Sequence, residues 1–211
     1  MIELFFSAFI TMFVVIDPPG CAPIYAGLTK GVPVRDVRAM AIRATIVAGL
    51  ILVGFALFGE KLLGALHIDL HSFRIAGGLM LFLIALDMVF EKRTQRREER
   101  AERVLAENEK TPEVDDVSIF PMAMPMLAGP GAIASIMLLT SNAQGLQQSL
   151  VVLGALLSVL ILTMFALIAA GPLMRLFGAR VEAVITRLLG VLLAALAAQY
   201  VIDGLRGSFG I

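Results

Sequence analysis

The sequence predicts an all-α integral membrane protein of six transmembrane helices, arranged as two inverted three-helix repeats. Three observations predict this fold: an apolar composition, six apolar stretches long enough to span a bilayer, and Pro/Gly breaks in the first and fourth of them. Of the 211 residues, 59% are hydrophobic and 16% are charged, and the mean hydropathy is +0.91. Soluble domains carry about a quarter charged residues. The composition therefore excludes a disordered chain, a nucleic-acid-binding arm and an ordinary soluble enzyme.

A helix that crosses a bilayer needs roughly 20 apolar residues. Six stretches meet this requirement, two of them with internal breaks. They are residues 4–28, 39–58, 73–90, 119–140, 146–170 and 184–205. The chain begins Met-Ile-Glu, without a basic segment ahead of the first stretch. This start argues against a cleaved signal peptide, so the first stretch is predicted to be a span.

Lys and Arg are distributed unevenly between the two sides of the membrane. The side that holds both termini carries 3 of them, and the opposite side carries 14. Because basic loops stay in the cytoplasm, both termini are predicted to be periplasmic or extracellular, in a bacterial inner membrane. The long loop, residues 91–118, is predicted to be a charged cytoplasmic connector. It separates a first three-helix repeat (residues 1–90) from a second, inverted one (residues 119–211).

The connector holds 16 of the 34 charged residues of the chain, between Glu91 and Asp116. Its acidic and basic residues are interleaved, and Glu99 and Arg103 are four residues apart, which suits a solvated helix that continues the third span. Binding of nucleic acid or lipid headgroups is the less favoured alternative.

The two halves of the chain resemble each other. With an offset of 111 residues Pro19 aligns with Pro130, and with an offset of 113 Gly77 aligns with Gly190. Three spans per half is an odd number, so the second half must be inverted relative to the first. Inverted repeats of this kind are a transporter architecture. A duplication retained only for stability is the alternative.

The breaks in spans one and four are the candidate substrate site. Proline removes a backbone donor, and in hydrocarbon the freed groups are tolerated only inside protein or beside a wet cavity. A new helix begins after each break, with unpaired amides and the positive end of its dipole, which attract a carboxylate. Kinks made for packing alone are the alternative. The predicted substrate-binding residues are Asp17, Pro18, Pro19, Gly20, Cys21, Gly129, Pro130, Gly131 and Ala132.

Two acidic residues, Asp17 and Asp87, are candidates for ion coupling. Asp17 lies in the middle of the first span, where a carboxylate costs at least ~2.5–3.5 kcal/mol. It is therefore expected to meet a substrate ammonium or to carry a proton; the alternative is a helix cap, because Asp before Pro is a good helix start. Gly77, Gly78 and Gly190 are interpreted as helix-packing points. Ser135 either lines a pathway or bonds to its own helix.

The motifs at residues 15–20 (VIDPPG), 73–78 (FRIAGG) and 121–132 (PMAMPMLAGPGA) resemble those of the MarC family of bacterial inner-membrane proteins. The resemblance covers essentially the whole chain. It implies a carrier of small neutral amino acids such as glycine and alanine, driven by a gradient of H⁺ or Na⁺. Cys21 departs from the family, which usually has asparagine there; an amide donates and accepts hydrogen bonds, whereas a thiol does so weakly.

Together these features predict a secondary transporter of a small zwitterion, held between two helix N-termini. The alternatives are an exporter of drugs or other small solutes and a non-transporting membrane scaffold. No catalytic residue, metal site or cofactor other than the coupling ion is predicted, because no second polar group is evident at the depth of Asp17. The expected partners are the substrate and the lipid bilayer, without nucleic acid; a homo-oligomer is left open.

Overall fold

The computed structural model describes residues 1–90, Glu99 and residues 116–210, with the side chains of residues 173–182 excepted. This part of the chain is helical and contains no strand. Its elements are α1 (Ile2–Ile16), α2 (Pro18–Leu28), α3 (Val34–Ala65), α4 (Leu70–Val89), the irregular segment α5 (Ser118–Leu127), α6 (Pro130–Ser141), α7 (Gly145–Ile168) and α8 (Ala170–Phe209). The predicted connector lies outside the described residues, except for Glu99 and residues 116–118.

The protein is a multi-pass integral membrane protein. Among the described residues, five stretches are long and apolar enough to span a bilayer, with α1 and α2 forming one of them. The number is six if the bent pair α5 and α6 is counted as one span. Each predicted stretch falls on one of these helices or helix pairs and exceeds it by at most two residues. The structure makes α3 longer than predicted, because the helix continues past the apolar stretch through charged residues such as Arg35 and Lys61.

The first and second halves of the chain interdigitate. The most extensive contact joins α4 to α8. The long helix α3 packs against α5, α6 and α7, and α7 packs in turn against α1 and α2. Among the described residues, the helices of the first half contact the second half far more than they contact one another. The core therefore lies between the halves.

Glycines allow α4 and α8 to approach closely. A Cβ atom on Gly78 would lie 2.8 Å from the backbone oxygen of Ala197, and one on Gly190 would lie 2.9 Å from the Cβ of Met88. Gly78, near the middle of α4, contacts Ala197, whereas Met88, near the end of α4, contacts Gly190, which comes earlier in α8. The two helices therefore run antiparallel. The interpretation of Gly78 and Gly190 as packing points is confirmed.

The first span is the most buried of the spans. In its most apolar stretch of 18 residues 56% of the residues are buried, against 28–39% in the corresponding stretches of the other four unbent spans. Apolar side chains on the remaining faces are exposed, as expected for helices that face lipid tails rather than water. The break between α1 and α2 is consequently enclosed by protein.

Polar contacts tie the helix ends together on both sides of the bundle. On one side Arg43 of α3 forms an ion pair with Asp116, just ahead of α5, with Nη1 and Oδ2 2.7 Å apart. On the other side the guanidinium of Arg74 in α4 donates a hydrogen bond to the side-chain oxygen of Asn142, which ends α6. The N-terminal third of α3 and the start of α5 therefore lie together, and the start of α4 lies beside the end of α6.

Candidate substrate site

The first break is made by a single residue, Asp17. Its backbone has φ 59° and ψ 64°, the left-handed conformation, and its N–H donates to the carbonyl of Phe13 at 2.9 Å. This ends α1, because a left-handed residue turns the chain out of the helix. Aspartate is among the few non-glycine residues that adopt this conformation readily.

Asp17 also caps the helix that follows. Its Oδ1 accepts the N–H of Gly20 at 3.2 Å, and its backbone oxygen accepts the N–H of Cys21 at 3.0 Å. Pro18 and Pro19 have no N–H to satisfy. The carboxylate is 1% exposed and is the only charged side chain among the buried residues that the structure describes. The capping role is thus confirmed; a role of Asp17 toward substrate or proton stays a prediction.

Two small residues complete this cap. A Cβ atom on Gly20 would overlap the carboxylate of Asp17, so only glycine leaves room for the side chain over the helix end. The buried thiol of Cys21 donates to the carbonyl of Ile16, with Sγ 3.4 Å from the oxygen. That carbonyl belongs to the last turn of α1, where oxygens lack intrahelical partners. The thiol therefore takes part in holding the break together.

The second break has a different construction. In α5, Phe120 and Met124 are extended, each ahead of a proline joined by a cis peptide bond. The chain then bends by 54° into α6, which begins at Pro130. Gly129 occupies the N-cap and has no side chain to accept from the first turn. The two breaks thus resemble each other in sequence but are capped differently.

Apolar side chains lie over the start of α6. A Cβ atom on Gly131 would overlap Cδ1 of Ile84 and would lie 3.6 Å from both Cδ2 of Leu81 and Cγ1 of Val15. Val15 stands two residues before Asp17, so the start of α6 lies beside the last turn of α1. Asp87 is half-buried on α4, one turn beyond Ile84.

Sequence reasoning missed Ile84 and left Ser135 undecided. Nothing in the apolar run 79–86 distinguishes Ile84, because its position over Gly131 depends on how α4 packs on α6. Ser135 is fully buried, and its hydroxyl has no hydrogen-bond partner in the described part of the chain. Its position four residues after Gly131 was a usable signal, since residues i and i+4 share a helix face.

Comparison with known proteins shows similarity along the whole chain. The family model described as MarC family integral membrane protein matches residues 2–209. A UPF0056 membrane protein of Methanocaldococcus jannaschii is 34% identical over 207 residues, 98% of either chain. One from Archaeoglobus fulgidus is 34% identical over 204 residues, 97% of this chain and 93% of the relative. One from Bacillus subtilis is 30% identical over 209 residues, 99% and 97%. No solved structure matches the chain.

Proposed function

The chain belongs to the MarC family of integral membrane proteins, and we propose that it is a secondary transporter of small neutral amino acids of the glycine and alanine type. An ion gradient drives transport, and the substrate binds at the two helix breaks. The observation that carries this proposal is a buried carboxylate, Asp17, at a break in the most buried span, with the start of α6 packed against Val15, two residues earlier. An intramembrane carboxylate marks a substrate or ion pathway by default.

The arrangement of helices supports an inverted repeat. The second helix of the first repeat, α3, packs against α5 and α6, which form the first span of the second repeat. Its equivalent in the second repeat, α7, packs against α1 and α2, which form the first span of the first repeat. Gly190 contacts Ala85, and with the offset of 113 the equivalent positions in the other half are residues 77 and 198. The structure has a contact one residue away from this pair, between Gly78 and Ala197. Spans one and four, which contain the breaks, are the equivalent pair in this scheme. Rocking of one repeat against the other then alternates access to the site.

The proposed orientation in a bacterial inner membrane places both termini outside and the connector in the cytoplasm. The excess of Lys and Arg on the connector side supports it. The ion pair of Arg43 with Asp116 supports it as well, because it joins two helix starts that this topology puts on the cytoplasmic side.

Cysteine labelling is expected to reveal this orientation. In a Cys21→Ser background, a membrane-impermeant maleimide added to intact cells is expected to label Ser208→Cys and not Glu99→Cys. Both positions are exposed, so the difference reports the side of the membrane and not burial. The background protein without an added cysteine is the control. Labelling of Glu99→Cys from outside, with Ser208→Cys protected, would reverse the topology.

Transport is tested by uptake of labelled glycine and alanine into proteoliposomes under an imposed H⁺ or Na⁺ gradient. Accumulation is expected under one gradient and is expected to collapse when an ionophore dissipates it. Protein-free liposomes are the control, and a Cys21→Asn variant shows whether the thiol limits the rate. Folded protein without uptake under either gradient would refute the amino acid assignment and favour the exporter or the scaffold.

A further inference from the structure

We propose that the two breaks have unequal roles: the first turn of α6, with Ser135, binds the carboxylate of the substrate, whereas the first turn of α2 is closed to anions by Asp17. This inference rests on the proposed function and deepens it, because it states which end of the bound substrate lies at which helix break. It differs from the symmetric arrangement expected from the sequence, in which both helix starts share the carboxylate.

The start of α2 has no capacity left for an anion. Its first two residues are prolines without an N–H, and the next two amides, of Gly20 and Cys21, donate to Asp17. The carboxylate of Asp17 already sits at the positive end of the helix dipole. A second carboxylate would meet like charge there, whereas an ammonium group would be attracted.

The start of α6 has the opposite character. Pro130 has no N–H, and the first backbone hydrogen bond of the helix joins the N–H of Ile133 to the carbonyl of Gly129 at 3.0 Å. Within the described residues, the buried amides of Gly131 and Ala132 have no acceptor. Unpaired amides at a helix start, with the positive dipole end, form an anion site.

Ser135 is the independent sign of a ligand. Eight other Ser and Thr hydroxyls in the described helices donate to a carbonyl three or four residues earlier: those of Thr11, Thr29, Thr45, Thr140, Ser141, Ser149, Ser158 and Thr163. The hydroxyl of Ser135 is 0% exposed and makes no such bond; among the described residues the same holds for the buried serine at the start of α5, Ser118, but only Ser135 lies in α6. Its side chain stands one turn above Gly131, and helical side chains lean toward the N-terminus. Ser135 and Gly131 therefore share one face of α6, with the unpaired hydroxyl one turn above the unpaired amides.

This subsite also explains a preference for small substrates. Ile84, Leu81 and Val15 lie against Gly131 in the described conformation. The end of Ile84 occupies the space that a Cβ atom on Gly131 would fill, so a ligand in that space must displace this flexible end. A substrate that extends from this point toward Asp17 has its ammonium directed to that carboxylate. Its side chain is limited by these three apolar residues.

The test compares Ser135→Ala with Ser158→Ala, which removes a hydroxyl that is bonded to its own helix. Glycine, acetate and methylammonium chloride are titrated into purified protein at constant ionic strength, and thermal unfolding reports binding. Glycine and acetate are expected to stabilise the wild type and the Ser158→Ala protein. In Ser135→Ala their affinity is expected to fall about tenfold or more, the scale of a hydrogen bond to a charged group. Methylammonium, which has no carboxylate, is expected to be insensitive to Ser135→Ala.

A second readout separates binding from folding. Removing an unpaired buried hydroxyl relieves a desolvation cost, so ligand-free Ser135→Ala is expected to unfold at a temperature equal to or above that of the wild type. Equal glycine and acetate affinities in the two serine variants would overturn the subsite, even if uptake is present. If the wild type binds acetate and Ser135→Ala does not, the result would support the subsite. This holds even if the wild type transports no amino acid and the proposed function fails.

Discussion

Replacing Asp17 by alanine is expected to abolish gradient-driven uptake and to lower the free energy of unfolding by about 2 kcal/mol. Loss of a side-chain helix cap costs about 1 kcal/mol, and alanine in the left-handed conformation costs about 1 kcal/mol more. Both costs arise here, because Asp17 accepts the N–H of Gly20 and has φ 59°. Chemical unfolding in detergent and proteoliposome uptake measure the two effects separately.

The matched variant Asp17→Asn separates the cap from the charge. Asparagine accepts a hydrogen bond at the N-cap and tolerates the left-handed conformation, so its stability is expected to stay near that of the wild type. Its uptake is expected to fall about tenfold or more, since a hydrogen bond to a charged group contributes about 1.5–3 kcal/mol. Asp36→Asn, on the exposed first turn of α3, is the control.

The outcome also assigns the role of the carboxylate. If Asp17 binds the substrate ammonium, exchange of glycine across the membrane without a gradient is lost together with net uptake. If Asp17 carries the coupling proton instead, exchange persists while accumulation stops. Wild-type uptake by Asp17→Asn would leave Asp17 as a helix cap only.

Gly78→Ala is expected to destabilise the protein by about 1–3 kcal/mol, the usual range for overpacking a close contact. The new Cβ would lie 2.8 Å from the backbone oxygen of Ala197 and 3.0 Å from the backbone nitrogen of Val201. Backbone atoms of a packed helix cannot rotate aside as the end of a side chain can, so α4 and α8 must separate along their shared face.

Gly54→Ala is the matched control for this prediction. It makes the same change inside a long helix, α3, but nothing lies within 4 Å of the new Cβ. Alanine favours a helix over glycine by about 0.8–1.0 kcal/mol, so this variant is expected to equal or exceed the wild type in stability. Unfolding in a denaturing detergent, monitored by loss of helical circular dichroism, compares the two variants. Equal stabilities would contradict the close packing of α4 on α8.

Local features of the sequence predicted where the helices lie. The details of the two breaks depend on packing between residues far apart in the chain, and the sequence did not predict them. Apolar stretches and prolines locate the helices and their interruptions because both act through neighbouring residues. The left-handed backbone of Asp17 was not predicted, although its capping was offered as an alternative. The difference in capping between Gly20 and Gly131 was also missed, because equivalent Pro-Gly pairs suggest equivalent amides. Ile84 reaches Gly131 through the contact of α4 with α6, which no local pattern encodes.

The interdigitation of the two halves has a consequence for biogenesis. During synthesis α1 to α4 enter the membrane first, but their main packing partners, α5 to α8, are translated later. The early helices must therefore wait in lipid as separately inserted segments, with Asp17 in the bilayer before the helices that enclose it arrive. A chain that stops after the first half would therefore lack most of the helices that its own helices pack against.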